Sequence, residues 1–452
     1  MKNRTRRQQA ILRRRIFISA CALILVCFIA LIAFIGHAIA KPSKNESSDM
    51  NSKVNSSVIS ETESNSKKPS KNEKESYATV LSTGDIMVHS TQLTGALVKE
   101  IGGYDFSAFY KYAESYLKNA DLSVANLELT FGGTESGEYR GYPAFNTPDV
   151  LADNLINSGF NFFVTANNHS YDTGLFGLKR TAKVLKSKNI PFVGTKEVES
   201  DPTYIIKNIN GIKIGIADYT YETPGDDINR KYMNGNIMKA EANNLISSFG
   251  YNKLDKFYAE ADSIIKDMKK GGADFIFFYM HWGNEYWLKA SNQQKQIAQK
   301  LTDLGVDMIL GSHPHVIEPV ELITSTDGKR KTVCLYSMGN AVSNQRQEIM
   351  DSCPSGHTED GMFFTYTLKK KGDTVTLQKI DLIPTWVNKY RGGNQFQYSV
   401  YPLEAPDWGS TKYKLDSTAA NKASKSYERT KQIVKDGLTE AQNYLGCEVT
   451  FK

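Results

Sequence analysis

The stretch Val306-Asp307-Met308-Ile309-Leu310-Gly311-Ser312-His313-Pro314-His315 places two histidines directly behind a short apolar run. Residues 306–310 have the length and composition of a buried strand. Two imidazoles that are two residues apart at the end of a strand can point into one space, and the intervening proline restricts the loop. A single histidine is more often a surface or satisfied core residue. The stretch therefore predicts a functional site only if other strands end beside it.

Other apolar runs end in polar residues in the same way. They cover residues 78–83, 122–125, 162–166, 275–280 and 333–336, and they precede Gly84-Asp85, Asn126-Leu127-Glu128, Asn167-Asn168-His169, His281-Trp282-Gly283 and Ser337-Met338-Gly339-Asn340. Helical patterns lie between several runs, at residues 107–119, 148–158, 174–188, 254–270 and 291–304. This alternation predicts an α/β domain with parallel strands, whose ligands gather beyond the carboxyl ends of the strands.

Two hairpin signals predict that the sheets are mixed. Segments 204–209 and 212–217 flank Asn210-Gly211, and segments 363–369 and 374–382 flank Lys371-Gly372-Asp373. The polar insert 222–250 lacks a clear period, which favours a lid or a surface loop. Residues 417–445 predict an exposed helix.

Gathered at one rim, the polar clusters would supply carboxylate, amide and imidazole donors without thiolates. This mixture suits Mn, Fe or Zn, and one carboxylate such as Glu128 could bridge two ions. Asp172 is placed to orient the ring of His169. Each cluster alone also fits a turn, a helix cap or a strand end, so the prediction depends on the whole set: Asp85, Glu128, Asn168, His169, His281, His313 and His315.

Alternative chemistries have no motif in this chain. Neither a Gly-x-Ser-x-Gly elbow nor a Gly-x-x-x-x-Gly-Lys phosphate loop is present. Trp282, Tyr286 and Trp287 could stack on a sugar, although strand-end aromatic residues more often pack internally.

The positive charge of the chain is local. The chain has 55 Lys and Arg against 49 Asp and Glu, and seven of the basic residues lie within residues 1–15, which leaves 48 against 49. This distribution excludes a nucleic-acid footprint. We predict that residues 1–15 are a cytoplasmic basic segment.

Residues 16–40 are predicted to be a transmembrane signal-anchor, because residues 16–35 carry no charge and basic residues precede them. The folded part would then lie outside the cell, as a single-pass protein. A cleaved signal peptide ending near Ala38-Ile39-Ala40 is the alternative.

We predict a disordered Ser/Lys/Asn/Glu linker at 41–76, a folded domain at 77–403 and an extension at 404–452. The spacing of Cys334, Cys353 and Cys447 does not predict a disulfide framework. A bridge between Cys353 and Cys447 remains an alternative.

The motifs resemble the CapA-type capsule synthesis proteins, which carry the poly-gamma-glutamate capsule domain and are related to the calcineurin-like metallophosphoesterases. The resemblance covers about residues 78–385. It rests on Gly84-Asp85-Ile86-Met87, Asn126-Leu127-Glu128, Asn167 to Gly174, His281 to Tyr286, Gly311 to Val316, and Tyr336 to Asn340.

This resemblance implies a four-layer αββα metallophosphatase-like sandwich that holds one or two divalent transition metal ions. His169 would be the general acid and Asp172 its orienting partner. The implied metal ligands are Asp85, Glu128, Asn168, His281, His313 and His315, and the implied substrate-binding residues are Trp282, Glu285, Ser337 and Asn340. The wider superfamily has Asp-x-His as its first motif, whereas Met87 follows Asp85 here, and His89 is a doubtful replacement.

The implied role is biosynthesis, export or anchoring of poly-gamma-glutamate or a related surface polymer. The implied partners are the cytoplasmic membrane, that polymer and a membrane synthase or export complex, with no nucleic acid. A non-catalytic accessory subunit of such a complex is the alternative function.

Overall fold

The predicted apolar runs form the central strands of two β-sheets. The computed structural model describes residues 74–227, 229–404 and 412–452. In chain order the strands are β1 (Glu75–Ile86), β2 (Leu97–Val98), β3 (Gly103–Tyr104), β4 (Leu122–Leu127), β5 (Phe162–Val164), β6 (Phe192–Val193), β7 (Tyr204–Ile209), β8 (Ile212–Tyr221), β9 (Tyr232–Met233), β10 (Asn236–Ile237), β11 (Ser248–Phe249), β12 (Phe275–His281), β13 (Met308–Ser312), β14 (Val320–Thr324), β15 (Lys331–Leu335), β16 (Asn340–Val342), β17 (Asp360–Lys371), β18 (Thr374–Gly392), β19 (Gln395–Pro402) and β20 (Glu448–Phe451).

The helices follow the predicted segments closely. The α-helices are α1 (Ser90–Ala96), α2 (Glu114–Asn119), α3 (Val150–Ser158), α4 (Gly174–Ser187), α5 (Leu254–Lys270), α6 (Asn292–Leu304) and α7 (Ser417–Leu445). The predicted helix 107–119 is divided into a 3₁₀ turn at Ser107–Phe109 and the short helix α2. Helix α1 has no counterpart among the predictions.

Each sheet is mixed, which confirms the α/β prediction. Sheet I has nine strands in the order β19-β18-β17-β1-β4-β5-β6, with β16 beside β1 and β20 beside β18. Sheet II has seven strands in the order β11-β8-β12-β13-β15-β14, with β7 beside β8. In both sheets the strands that end in the polar clusters run parallel to one another.

The facing sides of the two sheets share one apolar core. Val80 of β1 lies in this core together with Phe277 of β12, whereas the next residue of each strand, Leu81 and Phe278, packs on the opposite side. This alternation is the period of two expected of a strand. Burial of each large apolar side chain contributes about 1.5–3 kcal/mol, so the shared core fixes how the strand ends of the two sheets meet.

Helices cover the outer side of each sheet. Leu117 of α2 and Leu185 of α4 pack on sheet I, and Ile265 of α5 and Leu301 of α6 pack on sheet II. The order of layers is therefore helices, sheet I, sheet II and helices.

Both predicted hairpins are confirmed. Ile209 pairs with Ile212 across Asn210 and Gly211, whose φ angles of 53° and 86° are those of a type I′ turn. The second hairpin, β17 with β18, is longer than predicted and begins at the pair Asp360 with Trp386. The predicted loop 222–250 contains the β9–β10 hairpin, and its end forms β11 at the edge of sheet II.

The predicted C-terminal extension is part of the domain. Strand β20 pairs in parallel with β18, and α7 buries one face, including Val434 and Leu438, in the core between the sheets. The exposed-helix prediction therefore holds only for the opposite face. All three described cysteines, Cys334, Cys353 and Cys447, are buried and free.

The predicted segments 1–15 and 16–40, and the linker as far as residue 73, lie outside the described residues. The domain starts slightly earlier than predicted, because β1 begins at Glu75. In the part of the chain that the structure describes, no helix has the length and apolarity to cross a membrane.

Candidate metal centre

The carboxylate side of the site is held at the end of β1. Asp85 pairs with Asn126 of β4 on one side and with Asn340 of β16 on the other. Gly84 allows this close approach, because a Cβ atom there would lie 1.7 Å from the carbonyl oxygen of Gly339. The peptide N–H of Asp85 donates to the same oxygen at 3.1 Å. The end of β1 is therefore locked between its neighbours, and its carboxylate has a fixed position.

The histidine side is built by β12, β13 and a strained loop. His281 and Ser312 are paired and are the last residues of β12 and β13. His313 therefore lies directly beyond the ends of both strands. His313 and His315 have φ angles of 95° and 56°, which non-glycine residues adopt rarely. The loop is held by the N–H of Tyr286, which donates to the Pro314 carbonyl at 2.8 Å. Such strain persists only where the surroundings impose it, and it is typical of functional sites.

The predicted metal ligands from the two sheets lie together in two overlapping groups. One group consists of Asp85, Glu128 and His281, and the other of Glu128, His313 and His315; within each group the ligand atoms lie within 4.8 Å of one another. Glu128 belongs to both groups. Its Oε1 lies 3.6 Å from His281 Nε2 and 3.7 Å from His315 Nε2.

Two buried atoms of the site lack partners. Within the described residues, Glu128 Oε1 and His313 Nδ1 make no hydrogen bond. Buried polar atoms are nearly always paired, so each unpaired one needs an explanation. A divalent cation would take a lone pair from each atom, and the oxygen and nitrogen donors suit Mn, Fe or Zn. The residues therefore fit a metal ion.

Burial also sets the protonation of these groups. It raises the pKa of Glu128 well above the ordinary value, and the nearby Asp85 carboxylate adds to the effect. Burial lowers the pKa of His281 and His313 well below the ordinary value, and neighbouring imidazoles add to it. The two rings are thus neutral, the form that binds metals. A cation would offset the cost of an ionised Glu128.

His315 is oriented by its second ring nitrogen. Its Nδ1 lies 3.2 Å from both Asp85 Oδ2 and Asn340 Oδ1. Two acceptor oxygens on Nδ1 favour a proton there, which leaves the lone pair on Nε2 beside Glu128. Asn340, predicted to bind substrate, is placed here as a residue that orients His315, and its amide also donates to the carbonyl of Thr358 at 2.9 Å.

Two asparagines that the sequence analysis did not select join the two sides. Asn126 Nδ2 donates to Asp85 Oδ1 at 2.8 Å and lies 3.2 Å from His281 Nδ1. Asn167 Nδ2 in turn donates to Asn126 Oδ1 at 3.0 Å. The sequence feature that could have identified both asparagines is their position at strand ends, inside the quoted motifs. The Asn126 side chain bridges ligands from different sheets and the Asn167 side chain holds Asn126, which no sequence spacing reveals.

The predicted acid and its orienting residue are paired. His169 Nδ1 lies 2.8 Å from Asp172 Oδ2, and both side chains are almost fully buried. The N–H of Phe145 also donates to Asp172 Oδ2 at 2.6 Å, and the Phe145 ring packs edge-on against the imidazole at 4.7 Å. Asn168, the preceding residue, has its Oδ1 2.8 Å from His281 Nε2. The loop after β5 therefore contacts the metal-ligand groups directly.

The other predicted substrate-binding residues have different surroundings. Trp282 is 0% exposed, and its indole N–H donates to the Tyr336 carbonyl at 2.9 Å, so it offers no face to a ligand. Ser337 is also fully buried, and its hydroxyl accepts from the Gly339 N–H at 3.2 Å. Glu285 is exposed.

His89 belongs to neither ligand group. Its Nδ1 lies 3.2 Å from Gln92 Oε1 and from the N–H of Asn344, and its ring packs against Phe145 at 5.3 Å. The structure thus brings together Asp85, Glu128, Asn168, His169, Asp172, His281, His313, His315 and Asn340, and leaves Trp282 in the core and Glu285 exposed.

Comparison with known proteins gives the same family as the motifs. Residues 79–345 match the family model described as "Bacterial capsule synthesis protein PGA_cap". The capsule biosynthesis protein CapA of Bacillus anthracis is 28% identical over 321 residues, which cover 70% of this chain and 69% of that protein. The PGA biosynthesis protein CapA of Bacillus subtilis (strain 168) is 30% identical over 270 residues, 59% of this chain and 62% of that protein.

A crystal structure of TT1561 from Thermus thermophilus aligns with 64% of this chain and 94% of its own, at 11% identity and a TM-score of 0.30. The family model covers more than half of the chain and every ligand of the two groups. The chain therefore belongs to the bacterial PGA_cap capsule synthesis family.

Proposed function

We propose that this protein is a metal-dependent, phosphoesterase-type hydrolase that acts in the biosynthesis, export or anchoring of a poly-gamma-glutamate capsule or a related surface polymer. The order of layers, with two sheets between helices, supports a metallophosphatase-like sandwich as its scaffold. The family assignment supports the capsule role, and the name of the Bacillus subtilis relative supports poly-gamma-glutamate as the polymer.

The shared carboxylate carries this proposal. Glu128 is shared by the group with Asp85 and His281 and the group with His313 and His315, and its Oε1 is unpaired among the described residues. Such a position suits a ligand that bridges two ions, or one that serves a single ion from the centre of the site. Bound Mn, Fe or Zn would supply an activated water and a Lewis acid for a phosphoryl oxygen.

The chain itself supplies a proton donor next to these ligands. Asp172 holds His169 by Nδ1 at 2.8 Å, which directs the other ring nitrogen, Nε2, away from the carboxylate. A protonated His169 can donate from Nε2 to a leaving group, and the carboxylate stabilises the charged ring. The Phe145 N–H fixes Asp172, and the packed Phe145 ring limits water around the pair.

The proposed location is the outer face of the cytoplasmic membrane. Residues 16–40 would anchor the chain, residues 1–15 would stay in the cytoplasm, and the linker would carry the domain away from the membrane toward its polymer and a synthase or export complex. Protease treatment of intact cells tests this arrangement, because an external domain is cleaved while a cytoplasmic one is protected. A mature protein that lacks residues 16–40 would instead support a cleaved signal peptide.

Metal content and activity decide the hydrolase proposal. We expect the purified full-length protein to contain Mn, Fe or Zn by elemental analysis and to hydrolyse a chromogenic phosphodiester. Alanine at both His313 and His315 should reduce both signals. His357→Ala is the matched control, because this histidine lies outside the site and contacts Ser355. A wild-type protein without transition metal, or a double variant with unchanged metal content, overturns the proposal.

Burial favours one alternative, a non-catalytic accessory subunit. Every predicted ligand is at most 3% exposed, with His313 the most accessible, so a polymer chain has little direct access to these atoms. In an accessory protein the metal would be structural. Tight metal binding without turnover of phosphodiester or gamma-glutamyl substrates would support this alternative.

A further inference from the structure

A polar cavity lies outside the metal centre, at the edge of sheet II. Its volume is about 570 Å³, within the range typical of small-molecule sites. Its walls come from the insert 222–250, the loop between β6 and β7, and the first turns of α5. None of the predicted site residues lines it.

The cationic side chains of this cavity exceed what its carboxylates neutralise. Lys231 is paired with Glu222 at 3.1 Å. The side chain of Lys196 donates to the neutral Thr203 hydroxyl at 2.8 Å, and that of Arg230 reaches a backbone carbonyl at 3.5 Å. Within the described ranges, neither of these two residues forms an ion pair with a carboxylate.

The remaining charged groups do not change this balance. Lys256 also lines the cavity and has no ion pair with a described carboxylate. Glu199 accepts from the Asn244 amide at 3.2 Å, and Glu260 accepts from the Tyr219 hydroxyl at 2.9 Å. With Lys253, which also lines the cavity, the wall carries five cationic side chains against the three carboxylates of Glu199, Glu222 and Glu260, so cations exceed anions by two.

Two further observations indicate a ligand rather than a solvated surface. Ser247 is only 6% exposed and lines the cavity, yet its hydroxyl has no hydrogen-bond partner among the described residues. Helix α5 begins at Leu254 beside the cavity, and Lys256 and Phe257 of its first turn belong to the wall. The positive end of a helix dipole favours an anion near the first turn.

We propose that this cavity is a second, metal-independent site that binds a phosphate or a phosphoryl group. An excess of two positive charges matches a phosphate dianion better than a single carboxylate, and the Ser247 hydroxyl supplies a neutral donor. Strand β8 joins this site to the metal centre, because Tyr221 packs on His313 at 4.8 Å and the next residue, Glu222, lines the cavity. The inference goes beyond the hydrolase function and does not require it.

Calorimetric titration of the full-length protein with inorganic phosphate tests the site. A chelator in all samples removes the metal centre from the measurement. We expect saturable binding of one phosphate, which weakens about tenfold in each of Lys196→Met, Arg230→Met and Lys256→Met, the loss expected for one charge-assisted hydrogen bond. Ser247→Val, which places a methyl group in the cavity, should weaken binding independently of charge.

Matched variants make each result decisive. Lys183→Met removes an exposed lysine of α4 outside the cavity and should leave phosphate binding unchanged. Alanine at His313 and His315 should also leave it unchanged. Three results overturn the proposal: no binding by the wild-type protein, equal binding by the Lys196/Arg230/Lys256 triple variant with native circular dichroism, or succinate binding as tight as phosphate binding.

Discussion

Sheet I and sheet II contribute different chemistry to the same site. Sheet I ends in oxygen donors and sheet II ends in imidazoles: Asp85, Glu128 and Asn168 on the first, and His281, His313 and His315 on the second. Neither sheet alone places a complete ligand group, because both groups combine the carboxylate of Glu128 with histidines of the other sheet.

This difference shows that the site forms only where the two sheets meet. The core that they share sets the distance between carboxylates and imidazoles, and Asn126 bridges them at the rim. Substitutions at the rim should therefore separate the contributions of the two sheets, and substitutions in the contacts between sheets should affect both.

The largest effect is expected from Glu128→Gln, which alters both groups at once. The amide should remove most bound metal and reduce hydrolysis to background, because the shared carboxylate is lost. In the presence of a chelator the same variant should be more stable than wild type by about 1–3 kcal/mol, since a neutral amide replaces a carboxyl group whose ionisation is opposed by burial. Elemental analysis and urea denaturation measure the two effects. Equal metal content in Glu128→Gln and in the exposed control Glu440→Gln contradicts the shared-ligand role.

Removing two of the three imidazoles of sheet II should have a smaller effect on metal content. The His313→Ala/His315→Ala protein keeps Asp85, Glu128 and His281 together, so one group of potential ligands stays intact. We expect metal content to fall to at most half, with affinity for the remaining metal reduced about 10–100-fold. Elemental analysis with competition by a chromogenic chelator measures this. Complete loss of metal would mean that the groups do not bind independently.

Asp172→Asn tests a contribution from sheet I that does not involve metal. The amide removes the charge that stabilises a protonated His169, so kcat should fall about 10²–10⁴-fold, the usual range for general acid catalysis. Metal content should stay at the wild-type level. A pH profile of kcat provides the second readout, and a profile identical to that of wild type would argue against a proton-transfer role.

Glu318 is a buried residue three positions after His315. Its ionisation makes the free energy of unfolding depend on pH. Burial raises the pKa of Glu318 from 4.5 to about 8, against the opposing effect of the Gln294 hydrogen bond. Because the folded pKa is raised, this group's contribution to stability is fully present below pH 4.5 and is lost as the pH rises to about 8.

The matching variant is Glu318→Gln, which removes the titrating group and can still bond to Gln294. The stability of wild type relative to this variant should decrease by a few kcal/mol, on the order of 1.4 per unit of pKa shift, between about pH 5 and pH 8. Urea denaturation of both proteins across that range measures the difference. A constant difference would show that Glu318 ionises normally.

The smallest effect concerns a contact between the two sheets. Asp218 of β8 accepts from the N–H groups of Thr165 and Ala166, at the end of β5, at 2.9 Å and 2.6 Å. The Thr165 N–H also donates to the Val193 carbonyl at 3.0 Å, so among the described residues Asp218→Ala leaves only the Ala166 N–H unpaired and should cost about 1–3 kcal/mol. It should also weaken metal binding, because the loop that carries Asn168 follows directly. The exposed control Glu440→Ala should change neither, and a loss of stability with unchanged metal affinity would show that the contact does not align the site.

Local patterns predicted most of the secondary structure and most of the residues of the site. Apolar periodicity gave the bounds of helix α5, whereas strand β13 was predicted at residues 306–310 and lies two residues later, at Met308–Ser312. The ligands stand directly behind those strands, which made Glu128 and His313 predictable as residues.

The features that the sequence did not predict depend on contacts between segments that are distant in the chain. Asn126 became part of the site because its amide reaches a histidine of the other sheet, and Trp282 became a core residue because its ring packs behind β12. Nothing in the local pattern distinguishes a strand-end aromatic residue that faces a ligand from one that faces the core. The burial of one face of α7 likewise depends on a core built by strands far away in the chain.

The pairing of β1 with β17 determines when the site can form during synthesis. β1 is the first described strand, and along its length, from Glu75 opposite Lys371 to Ser82 opposite Phe364, it needs a partner that is translated near the end of the domain. Contacts between such distant segments fold slowly, because a long loop must close first. The ribosome must therefore translate the chain as far as β17 before the pairing that holds β1 can be completed.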